Sequence, residues 1–207
     1  MDRERRFRYL VKPLVFLACL LPLAGLVRGV LIEDLGPNPL ETVTFVTGDW
    51  ALRLLLATLA MTPLRRLLHA AWPLRLRRML GLYAFFYASL HFLIWLVLDQ
   101  ELRWDAILAD IAKRPYVTVG FTAWLLMLPL ALTSTRAAMR RLGRRWARLH
   151  RLVYPTAVLG VLHYLWLVKV DITEPLIYGA ILAVLLLARL RWSFSWPMLR
   201  RRLPVGD

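Results

Sequence analysis

The chain has 207 residues, 59% of them hydrophobic, and carries a formal net charge of +15. A mean hydropathy of +0.55 with apolar runs as long as residues 14–32, 80–98 and 176–188 excludes an ordinary soluble domain, whose core needs no such runs. A single cysteine, Cys19, excludes an intrachain disulfide and any zinc or iron–sulfur site built from cysteines.

A backbone in lipid must satisfy its own hydrogen bonds, and about 20 apolar residues are needed to cross roughly 30 Å of hydrocarbon. The apolar runs therefore predict an all-α bundle of six transmembrane helices, near 13–32, 49–64, 79–98, 116–134, 150–169 and 176–191, forming one domain over residues 1–207. The first follows Arg3, Arg5, Arg6 and Arg8 in the manner of a signal peptide. It has no small-x-small cleavage site, and its apolar stretch of nearly 20 residues suits a retained helix. Cys19 within it reads as a small packing residue. The second helix is the shortest and is expected to end at Thr62-Pro63, where proline discourages continuation. Gly36-Pro37-Asn38-Pro39 and Glu174-Pro175 mark short connections, and Arg114-Pro115 marks entry to the fourth helix. No internal repeat and no low-complexity linker is visible.

An isoelectric point near 11.2 could suggest nucleic acid, so the distribution of charge decides its meaning. Segments 1–12, 65–78, 136–151 and the tail from Arg189 hold 22 of the 28 Lys and Arg residues. The opposite side holds ten of the thirteen acids, from Glu33 and Asp34 to Asp171 and Glu174. This asymmetry predicts a multi-pass inner-membrane protein with both termini cytoplasmic. Anionic lipid is then a partner for loops such as Arg140-Arg141 and Arg144-Arg145, and nucleic acid is not needed. Trp50, Trp72, Trp104 and Trp192 are expected near helix ends, at headgroup level.

Ionisable side chains inside a membrane helix are costly and mark function. Of four histidines, His91 falls in the third predicted helix and His150 and His163 in the fifth, while His69 sits in a basic loop. Both helices run outward. His91 lies thirteen residues beyond Arg78, and His163 thirteen beyond His150, each about 20 Å along at about 1.5 Å per residue. His91 and His163 should therefore share one outer level, with His150 at the inner edge.

Two neutral imidazoles facing each other across a bundle suit axial ligation of haem iron, the porphyrin filling an apolar slot. Hydrogen bonds between helices are the alternative use of each ring. Zinc wants four ligands, and no carboxylate is expected at that depth. The chain lacks Cys-x-x-Cys-His, so a haem would be b-type. On an ideal helix His163 is rotated roughly 140° from His150, and Pro155 between them is expected to restore a shared face by kinking the helix. Arg77, fourteen residues before His91, projects within about 40° of it, at the level of His150. Three roles are open to Arg77: a headgroup anchor, a partner for a haem propionate or flavin phosphate, or an iron ligand. A protonated guanidinium has no lone pair to donate, which weighs against the last.

The stretches Thr62-Pro63-Leu64, Arg75-Leu76-Arg77-Arg78-Met79-Leu80-Gly81, Arg114-Pro115-Tyr116, Leu132-Thr133-Ser134-Thr135, Leu142-Gly143-Arg144-Arg145-Trp146, Leu149-His150 and His163-Tyr164, together with His91, resemble one family over nearly the whole chain. It is the MsrQ (formerly YedZ) family, haem-binding membrane subunits of bacterial methionine sulfoxide reductase systems, within the ferric reductase and NADPH oxidase transmembrane group. That group stacks two haems between histidine pairs on its third and fifth helices. This sequence is similar in keeping three of the four, with Arg77 where the inner third-helix histidine is expected. The resemblance implies one or two b haems on His91, His163 and His150, and FMN as a further cofactor. It also implies a quinone pool or cytosolic flavin reductase as donor, and a periplasmic molybdopterin methionine sulfoxide reductase (MsrP-like) as the partner that reduces the sulfoxide. The chain contains no Gly-x-Gly-x-x-Gly, so a nicotinamide site of the βαβ kind is not expected. Two rival readings are a stand-alone haem b reductase of ferric iron or another small acceptor, and a transporter or scaffold whose histidines merely bridge helices.

Overall fold

The computed structural model describes the backbone of residues 3–200 and the side chains of residues 4–190, so Trp192 and the basic tail beyond Leu190 lie outside the described side chains. All regular structure among the described residues is helical. A helical run beginning at Arg3–Arg6 passes through a π-helical turn, Phe7–Val11, into α1 (Lys12–Leu31). It is followed by α2 (Pro39–Leu67), α3 (Trp72–Leu93), which continues as a π-helical segment (Ile94–Asp99), α4 (Trp104–Lys113) and α5 (Pro115–Leu132). Two short basic helices, α6 (Arg136–Leu142) and α7 (Arg144–Leu149), lead through a 3₁₀ turn (His150–Leu152) into α8 (Val153–Leu167) and then α9 (Thr173–Arg200).

Among the described residues, five helical runs are long and apolar enough to cross a membrane: Glu4–Leu31, Pro39–Leu67, Trp72–Asp99, Pro115–Leu132 and Thr173–Leu190. The expected fifth helix, α8, has only 15 residues, about 22 Å at 1.5 Å each. The preceding 3₁₀ turn adds about 6 Å at 2 Å per residue.

The second helix departs most from expectation, running 29 residues from Pro39 to Leu67 instead of 49–64. Asn38 caps it, its Oδ1 accepting the Glu41 N–H at 3.3 Å while its Nδ2 donates back to the Glu41 carboxylate at 2.9 Å. Pro39 follows as the first helical residue, where a missing N–H loses nothing. Because α2 starts early, Trp50 stands well inside it, under the Arg53 guanidinium at 5.4 Å, rather than at a helix end.

Pro63 does not stop α2, because the carbonyl it orphans finds another donor. A proline leaves the oxygen four residues back without its N–H, and here Arg189 of α9 donates from Nη2 to the Leu59 oxygen at 2.8 Å. Beside Pro22 in α1 the helix ladder is opened at the next step, between Cys19 and Leu23. The Tyr87 hydroxyl of α3 enters the ladder, donating to the Cys19 oxygen at 2.7 Å and accepting the Leu23 N–H at 3.2 Å. Tyr83 donates to the Phe16 oxygen at 3.1 Å, so two tyrosines bind α1 to α3 through its own backbone. Beyond the end of α2 at Leu67, His69 is exposed and at φ +49°, with the Ala70 N–H reaching back to the Arg65 oxygen at 3.2 Å.

Two helix pairs dominate the packing, α2 with α3 and α5 with α8, and α3 meets α5 between them. Leu52, Leu55, Leu59, Leu80, Ala84, Tyr87, Ala157 and Val161 form the shared core. Leu14, Leu21, Val184 and Leu187 point outward and are exposed, as side chains facing lipid must be. The basic loops and short helices gather at one end of the bundle and α4 at the other, here termed the basic and acidic ends.

Candidate functional site

His91 projects from the last turn of α3, just before the π-helical segment, and His163 from the second half of α8. The structure brings these two rings together, their centroids 6.0 Å apart and their planes at 81°. A metal–imidazole bond of about 2 Å on each side, plus about 1 Å from each nitrogen to its ring centre, gives a similar separation. Each ring is held from behind. His91 Nδ1 lies 3.0 Å from the Thr44 oxygen of α2, and His163 Nδ1 lies 2.7 Å from the Tyr116 oxygen of α5. A carbonyl can only accept, so both Nδ1 atoms carry the proton and both Nε2 lone pairs remain for a ligand.

The rings open onto a cavity of about 400 Å³, a size usual for small-molecule and cofactor sites. Leu52, Leu55, Ala123, Met127 and Gly160 form much of its apolar wall. Phe92 and Trp124 stack on one side at 4.4 Å, and Trp124 Nε1 donates to the Ser89 hydroxyl at 3.1 Å. An apolar slot between two proton-anchored imidazoles is the donor set and shape that haem requires.

Asp49 also lines the cavity, which corrects the expectation that no carboxylate shares this depth. The cause is the early start of α2, which carries Asp49 a whole helical segment inward. Its charge is met by Arg53 at 3.2 Å, whose Nε donates to the Tyr178 hydroxyl at 2.7 Å. Tyr164, beside His163, donates to Glu174 at 2.8 Å. At the acidic end, Trp95 Nε1 donates to Asp110 at 3.2 Å and Asp110 pairs with Arg114 at 3.0 Å, holding α4 against the cavity rim.

His150 is not brought to this cavity. It opens the 3₁₀ turn at the basic end, stacks on Trp146 at 3.9 Å and donates from Nδ1 to the Trp146 oxygen at 3.2 Å. Its Nε2 is buried with no hydrogen-bond partner among the described residues. The 3₁₀ turn adds part of the rotation expected of Pro155 but restores no shared face. Three residues at 120° in place of 100° reduce the offset between His150 and His163 from about 140° to about 80°. Pro155 sits in the first turn of α8, where its missing N–H does no harm.

Arg77 is half-buried and interacts electrostatically with His150, Tyr154 and Arg189. Arg189 donates to the Tyr154 hydroxyl and lies over its ring at 5.2 Å. Two further buried polar atoms without a partner among the described residues, Thr62 Oγ1 and Arg189 Nε, belong to the helices that meet here. Arg189, Tyr154 and the two anchoring carbonyls were not legible in the sequence. Arg189 reads there as topological charge, and a carbonyl has no sequence signature.

Residues 47–161 match the model of the ferric reductase like transmembrane component family. A relative from Rhodospirillum rubrum is 54% identical over 202 residues, covering 97% of this chain and 93% of its own length. One from Herminiimonas arsenicoxydans is 52% identical over 189 residues, covering 90% and 87%. One from Xanthomonas campestris pv. campestris is 60% identical over 154 residues, covering 74% and 71%. All three are described as the heme-binding subunit MsrQ of protein-methionine-sulfoxide reductase. No solved structure matches. With the family match covering more than half of the chain, His91 included, and relatives this similar over most of its length, the protein belongs to the MsrQ family of haem-binding subunits of protein-methionine-sulfoxide reductase.

Proposed function

We propose that this chain is an inner-membrane electron-transfer subunit of one domain. In this reading it takes electrons from a quinone pool or a cytosolic flavin reductase and passes them through haem b to a periplasmic molybdopterin enzyme that repairs methionine sulfoxide. The observation that carries the reading is the opposed pair His91 and His163, 6.0 Å apart, each with Nδ1–H tied to a backbone carbonyl and Nε2 left for iron. When bound there, haem b supplies a one-electron ferric–ferrous couple.

The residues have separate tasks in this scheme. Thr44 and Tyr116 hold the two imidazoles in one tautomer and orientation through their carbonyls, which also raises the basicity of Nε2. Leu52, Leu55, Met127 and the Phe92–Trp124 stack exclude water from the ring faces. At the basic end the buried His150 would be the side chain to hold the iron of a second haem, were one bound there. Arg77 and Arg189 are suited to a haem propionate or to the phosphate of FMN, by their planar forks of donors. The basic end faces the cytoplasm in this reading and the acidic end, with α4 over the rim, faces the partner.

Spectroscopy of His91→Ala and His163→Ala tests the reading. Each variant should lose the low-spin, six-coordinate haem signal and electron delivery to the periplasmic enzyme. Full retention of both properties in both variants would sink the assignment. Reduction of ferric iron with no delivery to the periplasmic enzyme would instead favour a stand-alone reductase, the reading to which the ferric-reductase-like match also lends support.

A further inference from the structure

The two imidazole anchors are built alike. His91 reaches the Thr44 carbonyl and His163 reaches the Tyr116 carbonyl, each across 47 residues of chain. In both cases the residue one turn beyond the anchoring carbonyl, on the same helix, is a glycine: Gly48 after Thr44 and Gly120 after Tyr116. Carbonyl, glycine and histidine all recur at an offset of 72 residues.

The offset extends through the architecture. Helix α3 begins at Trp72 and α7 at Arg144, and the two closest helix pairs, α2–α3 and α5–α8, are the two repeats. Ala84 and Thr156, again 72 apart, are both fully buried, at 0% and 1% exposure. Most of the cavity wall is paired in the same way, as with Leu55 and Met127, or Ala88 and Gly160. Residue identity hides the relation, because positions such as Asp49 and Phe121 are chemically unrelated. This is why no repeat is visible in the sequence.

Helix geometry explains the glycines. The oxygen of residue i accepts the N–H of residue i+4 and keeps a second lone pair, which at Thr44 is also approached by the Thr47 hydroxyl at 3.0 Å. A ring donating to that lone pair must lie against the helix beside residue i+4. At Gly48 a methyl group would stand 3.1 Å from both Cε1 and Nδ1 of His91. At Gly120 it would stand 2.6 Å from Nδ1 and 2.8 Å from Cε1 of His163, closer than carbon approaches such atoms. Neither glycine is at positive φ, so space and not backbone freedom is what each provides.

We propose that the chain contains a duplicated imidazole clamp in which Gly48 and Gly120 are positioning residues, seating His91 and His163 so that their Nε2 atoms oppose each other. The proposal rests on the haem reading for its purpose, but the seating itself is a property of the protein alone. The two halves differ in tightness, Gly120 being the stricter.

The test compares the full-length wild type with Gly48→Ala, Gly120→Ala and, as a control, Gly25→Ala, where a methyl group meets nothing within 4 Å. Histidine-selective ¹⁵N NMR of haem-free protein reads the seating directly, because an Nδ1–H bonded to a carbonyl gives a protected, downfield proton. Haem per chain, the ferric low-spin EPR signal and the midpoint potential read its consequence after reconstitution. Gly120→Ala should lose the His163 signal and bind haem about tenfold or more weakly, as for loss of an outer-shell partner. Gly48→Ala should keep haem with an altered EPR signal and potential, and Gly25→Ala should match wild type in every measurement. Unchanged imidazole signals in both clamp variants overturn the proposal. Signals lost as expected in a wild-type background that takes up no haem would support the clamp and overturn the haem reading instead. Should Gly120→Ala not fold, the milder contact in Gly48→Ala carries the test.

Discussion

At the scale of single residues, the basic end holds the least settled chemistry. His150 presents a buried Nε2 without a hydrogen-bond partner among the described residues, and Arg77 and Arg189 stand close by. A buried, unmet polar atom costs about 1–3 kcal/mol, so a bound group that satisfies His150 gains that much over an empty site. His150→Ala is expected to lower haem content while leaving the signal of the His91–His163 site in place, measured as haem per chain and by the reduced-minus-oxidised spectrum. Arg77→Lys keeps a positive headgroup anchor but loses the planar fork, and should lower haem content or flux. Full haem and full flux in that variant would leave only the anchor role. His69 is exposed at a helix end, in agreement with its reading as a solvated residue.

At the scale of elements, the break at Pro63 is repaired from outside the helix that contains it. The Leu59 carbonyl, orphaned by Pro63, is met by Arg189, which makes α9 part of the structure of α2. The consequence is a measurable coupling. Arg189→Ala in the native background should destabilise by about 1–3 kcal/mol, the penalty for an unmet buried carbonyl. In a Pro63→Ala background the helix supplies its own N–H again, so the same substitution should do less harm. A double-mutant cycle on thermal or denaturant unfolding in detergent should return a coupling of about 1 kcal/mol, and strictly additive effects would refute the repair. The early start of α2 was written in Asn38-Pro39-Leu40-Glu41, a cap residue, a proline at the first helical position and a glutamate three residues after the cap. The turn signal of Gly36-Pro37 masked it, and Asp49 reads as an end only when that cap is overlooked.

At the scale of the whole molecule, the charge asymmetry predicts the orientation of the bundle, and the proposed direction of electron flow rests on it. A reporter that is active only in the cytoplasm, fused after Asp207, should be active, and a periplasmic reporter at the same point silent. The opposite result would place α4 and the cavity rim on the cytoplasmic side and reverse donor and acceptor. The segregation of basic loops from Glu33, Asp34, Asp105, Asp110, Asp171 and Glu174 is what makes the expectation strong, since the rule counts Lys and Arg in short loops.

The apolar runs, the spacing of His91 and His163 and the absence of a haem-attachment motif were readable without coordinates. Hydrophobic length, rise per residue and ligand type are local properties of a chain. Tertiary structure alone decided which carbonyls anchor the imidazoles, how Pro63 is tolerated, and that Asp49 enters the cavity wall. Each of these joins groups on different helices, and such pairings follow from how helices pack rather than from the order of residues. The 72-residue relation belongs to both levels. Its histidines and glycines stand in the sequence, yet only the shared anchoring geometry distinguishes them from other glycines and histidines, because the demand for space at Gly48 and Gly120 exists only once a ring from another helix lies against them.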